Sequence, residues 1–157
     1  MKKVLMVCLG NICRSPVANG LLRDKINTQG LDAEVDSAGT SAYHTGEKPD
    51  PRSTANAAQH GIDITDLRAR QFTAHDFDDF DLIYAMDGSN YQNILAMARD
   101  EADRQKVDMI LNLSEPGGNR PVPDPYFGNG DEGFERVFQM LDAACEVLAD
   151  RLKSDCV

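Results

Sequence analysis

Val4-Leu5-Met6-Val7 is an unbroken apolar run that ends on Cys8 and passes at once into Leu9-Gly10-Asn11-Ile12-Cys13-Arg14-Ser15-Pro16. No other stretch constrains the fold as tightly. A strand without polar alternation is buried on both faces, which is the situation of a central parallel strand. Beyond the turn, Ser15 fits an N-cap and Pro16 the first helical position, and Val17, Leu21, Leu22 and Ile26 recur at helical spacing. The order is therefore strand, loop, helix. Cys8 falls at the carboxyl end of the strand, where open α/β sheets bind their ligands.

The remainder of the chain continues the alternation. Residues 33–39 are expected to form a second strand, 51–60 a helix closed by Gly61, 80–86 a third strand, 89–99 a helix and 107–111 a short fourth strand. A long irregular segment follows, enforced by Pro116, Gly117, Gly118, Pro121, Pro123, Pro125, Gly128 and Gly130. The last helix shows the clearest apolar stripe: Phe134, Val137, Phe138, Leu141, Cys145, Leu148 and Leu152. Such alternation implies right-handed crossovers and a parallel sheet. With 157 residues, and neither repeat nor linker, the expectation is one domain spanning 1–157.

Charge excludes one class of partner. The balance of 16 Lys and Arg against 26 Asp and Glu gives 16 − 26 = −10, and no basic run offsets it, so nucleic acid is not an expected ligand. The opening Lys2-Lys3 and apolar run are too short for an export signal, and no stretch has the length that spans a bilayer, so no membrane insertion is expected. Four cysteines in a chain able to build its own core point to a reducing, cytoplasmic setting.

In the loop, Cys8 and Arg14 stand at opposite ends of a seven-residue turn able to wrap a tetrahedral oxyanion. Successive amide N–H groups, eased by Gly10, would point inward, and the following helix adds its positive end. Arg14 contributes a planar, permanently charged fork. These groups stabilise a thiolate as well as a phosphate, which makes Cys8 a candidate nucleophile. A Walker-type loop would need a Gly-Lys-Ser/Thr ending, which is absent. With only His44, His60 and His75, and no second cysteine pair near Cys8 and Cys13, a metal site is not expected.

The Cys-x-Gly-Asn-x-Cys-Arg-Ser-Pro pattern resembles the low-molecular-weight protein-tyrosine phosphatases. The resemblance continues through Asp36-Ser37-Ala38-Gly39-Thr40, Asp50-Pro51-Arg52, His60-Gly61-Ile62, Met86-Asp87-Gly88-Ser89-Asn90 and Asp124-Pro125-Tyr126-Phe127-Gly128. It implies a four-stranded parallel sheet with helices on both faces, doubly wound and flavodoxin-like. It also implies hydrolysis of phosphotyrosine in a protein partner through a phosphocysteine, without cofactor. By that resemblance Cys8 is the nucleophile, Arg14 the phosphoryl clamp and Asp124 the general acid and base. Leu9, Gly10, Asn11, Ile12, Cys13 and Ser15 bind phosphate or shape the loop, Ser37 supports it, and Tyr43, His44 and Tyr126 wall the cleft. His60 and Asp87 correspond to a polar pair that holds a turn outside the site.

Family members acting on phosphoarginine carry threonine at the position of Ile12, so an apolar residue there favours phosphotyrosine. Phe127 stands where many eukaryotic members have a second tyrosine. Two other functions fit the same loop. An arsenate reductase would relay oxidation through further cysteines, but the middle of this chain has none, and Cys145 and Cys156 are poorly placed. A non-catalytic phosphotyrosine-binding module would not need both Cys8 and Asp124. A Cys8–Cys13 disulfide under peroxide is a further expectation, since two thiols share one turn.

Overall fold

The structure is a computed structural model that describes residues 1–125 and 130–155. Four strands, β1 (Lys2–Cys8), β2 (Ala33–Gly39), β3 (Leu82–Ala85) and β4 (Val107–Met109), form one sheet in the order β2-β1-β3-β4. Every pairing is parallel. Its helices are α1 (Arg14–Gln29), α2 (Pro51–Gln59), α3 (Asp76–Asp79), α4 (Gly88–Met97), α5 (Glu101–Gln105) and α6 (Asp131–Ser154). This is the α/β architecture expected from the sequence.

The apolar run explains itself in the packing. Val4, Met6 and Cys8 point to a core shared with Leu21 and Leu22 of α1 and with Leu141 and Leu148 of α6. Leu5 and Val7 point the other way, to Phe72, Phe77 of α3, Ile83 and Ile94 of α4. Successive strand residues alternate faces, so a strand covered by helices on both sides has no polar position to spare. The chain goes from β1 to β2 on one side and returns to β3 on the other. The carboxyl end of β1 is therefore a topological switch point, with a crevice above it.

The differences from expectation are local. The first helix begins at Arg14, with Cys13 as an N-cap that makes no side-chain capping bond, and not at Pro16 capped by Ser15. The Ser15 hydroxyl is engaged with Cys8 instead. Pro16 becomes the third helical residue, where its missing N–H still costs no intrahelical bond. The third strand is only Leu82–Ala85, because Phe80 caps α3. Residues 107–111 divide into β4 and a 3₁₀ turn at Ile110–Asn112. The helix foreseen at 89–99 is Gly88–Met97, its first turn capped by the Asp87 carboxylate accepting from Asn90 N.

β1 and β2 are in register so that Cys8 lies opposite Gly39. A Cβ at Gly39 would stand 2.7 Å from the Leu9 carbonyl oxygen. Glycine there lets the turn after Cys8 lie against the end of β2, where Thr40 N donates to Cys8 O and Ser41 N to Leu9 O.

Candidate active site

The loop between β1 and α1 curls around the sulfur at its start. Asn11 N donates to Cys8 Sγ at 3.2 Å, and the Ser15 hydroxyl lies 3.0 Å from the same atom. Asn11 Nδ2 donates to Ser15 Oγ at 2.7 Å, so the hydroxyl proton is left for the sulfur. Asn11 holds φ at 58°, the left-handed region that asparagine tolerates better than most residues, and its buried side chain is bonded at both ends. This strained residue turns its own amide toward the Cys8 sulfur.

Arg14 is 4% exposed, so its charge requires a partner. Nη1 donates to Asp87 Oδ2 at 2.8 Å and to the Val122 carbonyl at 3.0 Å. Val122 N in turn donates to Met86 O at 2.8 Å. The guanidinium thus ties the carboxyl end of β3 to the irregular segment that carries Asp124, two residues beyond Val122.

Above these groups opens a cavity of about 370 Å³, lined by Cys8, Leu9, Gly10, Ile12, Cys13 and Arg14 from the loop, Ser41, Tyr43 and His44 from the segment after β2, and Asp124. Leu9 and Tyr43 form an exposed apolar rim. The Tyr43 and His44 rings meet edge to face at 4.8 Å, and His44 Nδ1 is 2.7 Å from Glu47 Oε2. Its lining is mostly apolar and includes Arg14 and Asp124, a composition suited to an aryl group bearing an anion.

The two loop thiols differ. Burial pushes the Cys13 thiol up to about 12, the neighbouring Asp50 carboxylate adds to the effect, and Asp124 contributes a smaller part. Cys13 is therefore a neutral thiol at neutral pH. Cys8, Cys13 and Cys145 carry no disulfide, and among the described residues no cluster of His, Cys, Asp or Glu could hold a metal ion.

Of the residues singled out from the sequence, Cys8, Leu9, Gly10, Ile12, Cys13, Arg14, Tyr43, His44 and Asp124 share the cavity. Asn11 and Ser15 stand behind the sulfur. Ser37 accepts from Asn19 Nδ2 at 3.1 Å. Tyr126, Phe127 and Cys156 lie outside the described residues. Asp87 was missed: it binds Arg14, while His60 Nε2 lies 2.7 Å from Glu135, so the two are not a pair. The available signal was position, an acid just beyond a strand of a parallel sheet.

The family model of the low molecular weight phosphotyrosine protein phosphatases matches residues 3–157. The chain belongs to this family. It is accordingly a protein-tyrosine phosphatase, a hydrolase whose substrates are phosphoproteins. A Synechocystis protein bearing the family designation is 48% identical over 157 residues, which cover 99% of each chain. The crystal structure of a protein tyrosine phosphatase from Entamoeba histolytica, with Hepes in its active site, superimposes with a TM-score of 0.91 at 37% identity over 100% of both chains. That of a Drosophila arginine phosphatase gives a TM-score of 0.89 at 35% identity, covering 99% of each. Among the described residues no helix is long and apolar enough to cross a membrane.

Proposed function

We propose that the chain hydrolyses phosphotyrosine in proteins by way of a phosphocysteine on Cys8. The observation that carries this reading is a cavity lined by Cys8, Arg14 and Asp124 together, with the Cys8 sulfur hydrogen-bonded by Asn11 N–H and the Ser15 hydroxyl. The Cys8 thiolate attacks phosphorus in line with the departing phenol. Loop amides from Leu9 to Cys13 and the Arg14 fork hold the equatorial oxygens as the P–O bond breaks and the P–S bond forms. Asp124 gives its proton to the phenolate oxygen, then takes one from the water that cleaves the P–S bond and releases phosphate.

The chemistry needs no metal or organic cofactor, because protein groups supply each charge that the transition state requires. Tyr43, His44 and Tyr126 would wall the cleft around the phenyl ring. Cys8 and Cys13 make the enzyme redox-sensitive: peroxide converts the Cys8 thiolate to a sulfenic acid, and Cys13 then displaces water to close a disulfide. The setting is cytoplasmic, and 1–157 is one phosphatase domain.

A second reading is favoured by one finding, the likeness to an arginine phosphatase. Ile12 in the loop opposes it, since a butyl-sized apolar side chain offers no hydrogen bond to a guanidinium. Relative kcat/KM on phosphotyrosine and phosphoarginine peptides of one sequence decides, with chelator present. Preference for phosphotyrosine, lost in Cys8→Ser, supports the proposal; preference for phosphoarginine, or dependence on added metal, overturns it.

A further inference from the structure

The hydrogen bonds behind Cys8 do not stop at Ser15. Arg70 N donates to Asn11 Oδ1 at 3.1 Å, Asn11 Nδ2 donates to Ser15 Oγ at 2.7 Å, and Ser15 Oγ lies 3.0 Å from Cys8 Sγ. Each acceptor group in this series is also the next donor, so the dipoles align in one direction and end on the sulfur. Aligned hydrogen bonds in a buried setting polarise one another. Asn11 and Ser15 are both buried, which keeps water from competing.

The series starts at a residue whose side chain is clamped on the far side of the sheet's rim. Arg70 Nη1 and Nη2 donate to the two oxygens of Asp76 at 3.2 and 3.0 Å, and Nε donates to Asp36 Oδ2 at 3.2 Å. Asp76 is buried and also accepts from Thr73 N at 2.9 Å. The backbone on either side is bridged to the end of β2, with Gly39 N donating to Arg70 O and Phe72 N to Gly39 O. The bidentate pair to a buried carboxylate fixes the residue in rotation as well as position.

We infer that Arg70 is a positioning residue for the nucleophile: its clamp by Asp76 and Asp36 aims the amide that orients Asn11, and through Asn11 and Ser15 it sets the reactivity of Cys8. The inference deepens the reaction proposed above and rests on Cys8 being its nucleophile. Arg70 touches neither the cavity nor the substrate, so its loss weakens the attacking group without removing a phosphate ligand. Gly39 alone could hold the amide in place, and that is the alternative the experiment has to exclude.

Arg70→Gln and Arg70→Lys are compared with the unaltered chain in three measurements: kcat/KM for p-nitrophenyl phosphate, the competitive inhibition constant of inorganic phosphate, and the rate of Cys8 alkylation by iodoacetate followed by mass spectrometry. Loss of the side-chain clamp leaves the Arg70 amide present but misdirected, and this lowers kcat/KM and the alkylation rate together by about tenfold in Arg70→Gln. The phosphate constant stays within about twofold, and Arg70→Lys, which keeps a charge beside Asp76, recovers part of both rates. Unchanged rates with a lowered unfolding temperature assign Arg70 to stability alone and overturn the inference. A phosphate constant that weakens in step with kcat/KM overturns it too, since the loop and not the sulfur is then disturbed. Alkylation reads Cys8 without turnover, so its outcome stands even if phosphotyrosine is not the substrate.

Discussion

Arg14 Nη1 is held 2.8 Å from Asp87 Oδ2, joining the first turn of α1 to the residue that caps α4. A buried guanidinium with no such partner would be costly, and one free to rotate would not present a fixed fork to phosphate.

Asp87→Asn keeps the shape of the cap and removes the charge. Hydrogen bonds to charged groups are worth more than neutral ones, so the inhibition constant of inorganic phosphate should weaken by about 10- to 100-fold. Competitive inhibition of p-nitrophenyl phosphate hydrolysis measures it. An unchanged constant would mean that the Val122 carbonyl alone suffices to aim Arg14.

Cys13 and Cys8 should separate cleanly under alkylation. The Cys13 thiol is pushed up to about 12, chiefly by burial, so it remains protonated at neutral pH and slow to react with an alkylating agent from solution. Brief iodoacetate treatment at pH 7 is expected to modify Cys8 and spare Cys13, and inorganic phosphate should protect Cys8. Mass spectrometry that finds Cys13 modified first would contradict the burial argument.

The fold's acid sensitivity has a marker away from the site. Glu135 accepts from His60 Nε2 at 2.7 Å, Gln139 Nε2 at 2.7 Å and Asn56 Nδ2 at 3.0 Å, and these bonds, that of His60 foremost, lower its carboxyl from 4.5 to about 2. A carboxyl whose folded value lies below its unfolded value stabilises the fold above the unfolded value, and that contribution fades as pH falls through the folded one. The urea midpoint of Glu135→Gln should therefore lie below that of the unaltered chain at pH 6 and meet it near pH 2. A gap that persists at the lower pH would show that the carboxylate form is not what matters. The groups are partly exposed, so solvent screening keeps the effect modest.

How much of this was legible in the sequence depends on the length scale of the signal. The central strand could be read because burial on both faces leaves no polar residue between Val4 and Val7, and α6 because its stripe runs over many turns. Helices α3 and α5, of four and five residues, are too short to show a period, and residue-level pattern cannot see them. Ser15 was placed as a cap because local rules count only neighbouring backbone donors, whereas its hydroxyl serves a sulfur seven residues earlier. Cys8 and Arg14 stood out because one turn carries both. Asp87 did not: it reaches Arg14 across 73 positions, and nothing in an acidic composition separates it from the other carboxylates. Asp124 was assigned by resemblance to a family, and it lines the same cavity as Cys8.

The central claim, that Cys8 carries the phosphoryl group between two half-reactions, is open to direct capture. Rapid acid quench during hydrolysis of a phosphotyrosine peptide, followed by peptide mapping, should find one phosphoryl group on the fragment containing Cys8. With p-nitrophenyl phosphate, whose departing phenolate needs little protonation, it should accumulate further in Asp124→Asn, since activation of water is slowed there by about 10²–10⁴-fold. Cys8→Ser should bind phosphate yet yield no turnover. Full turnover by Cys8→Ser, or a phosphoryl group found only on another residue, would contradict the account.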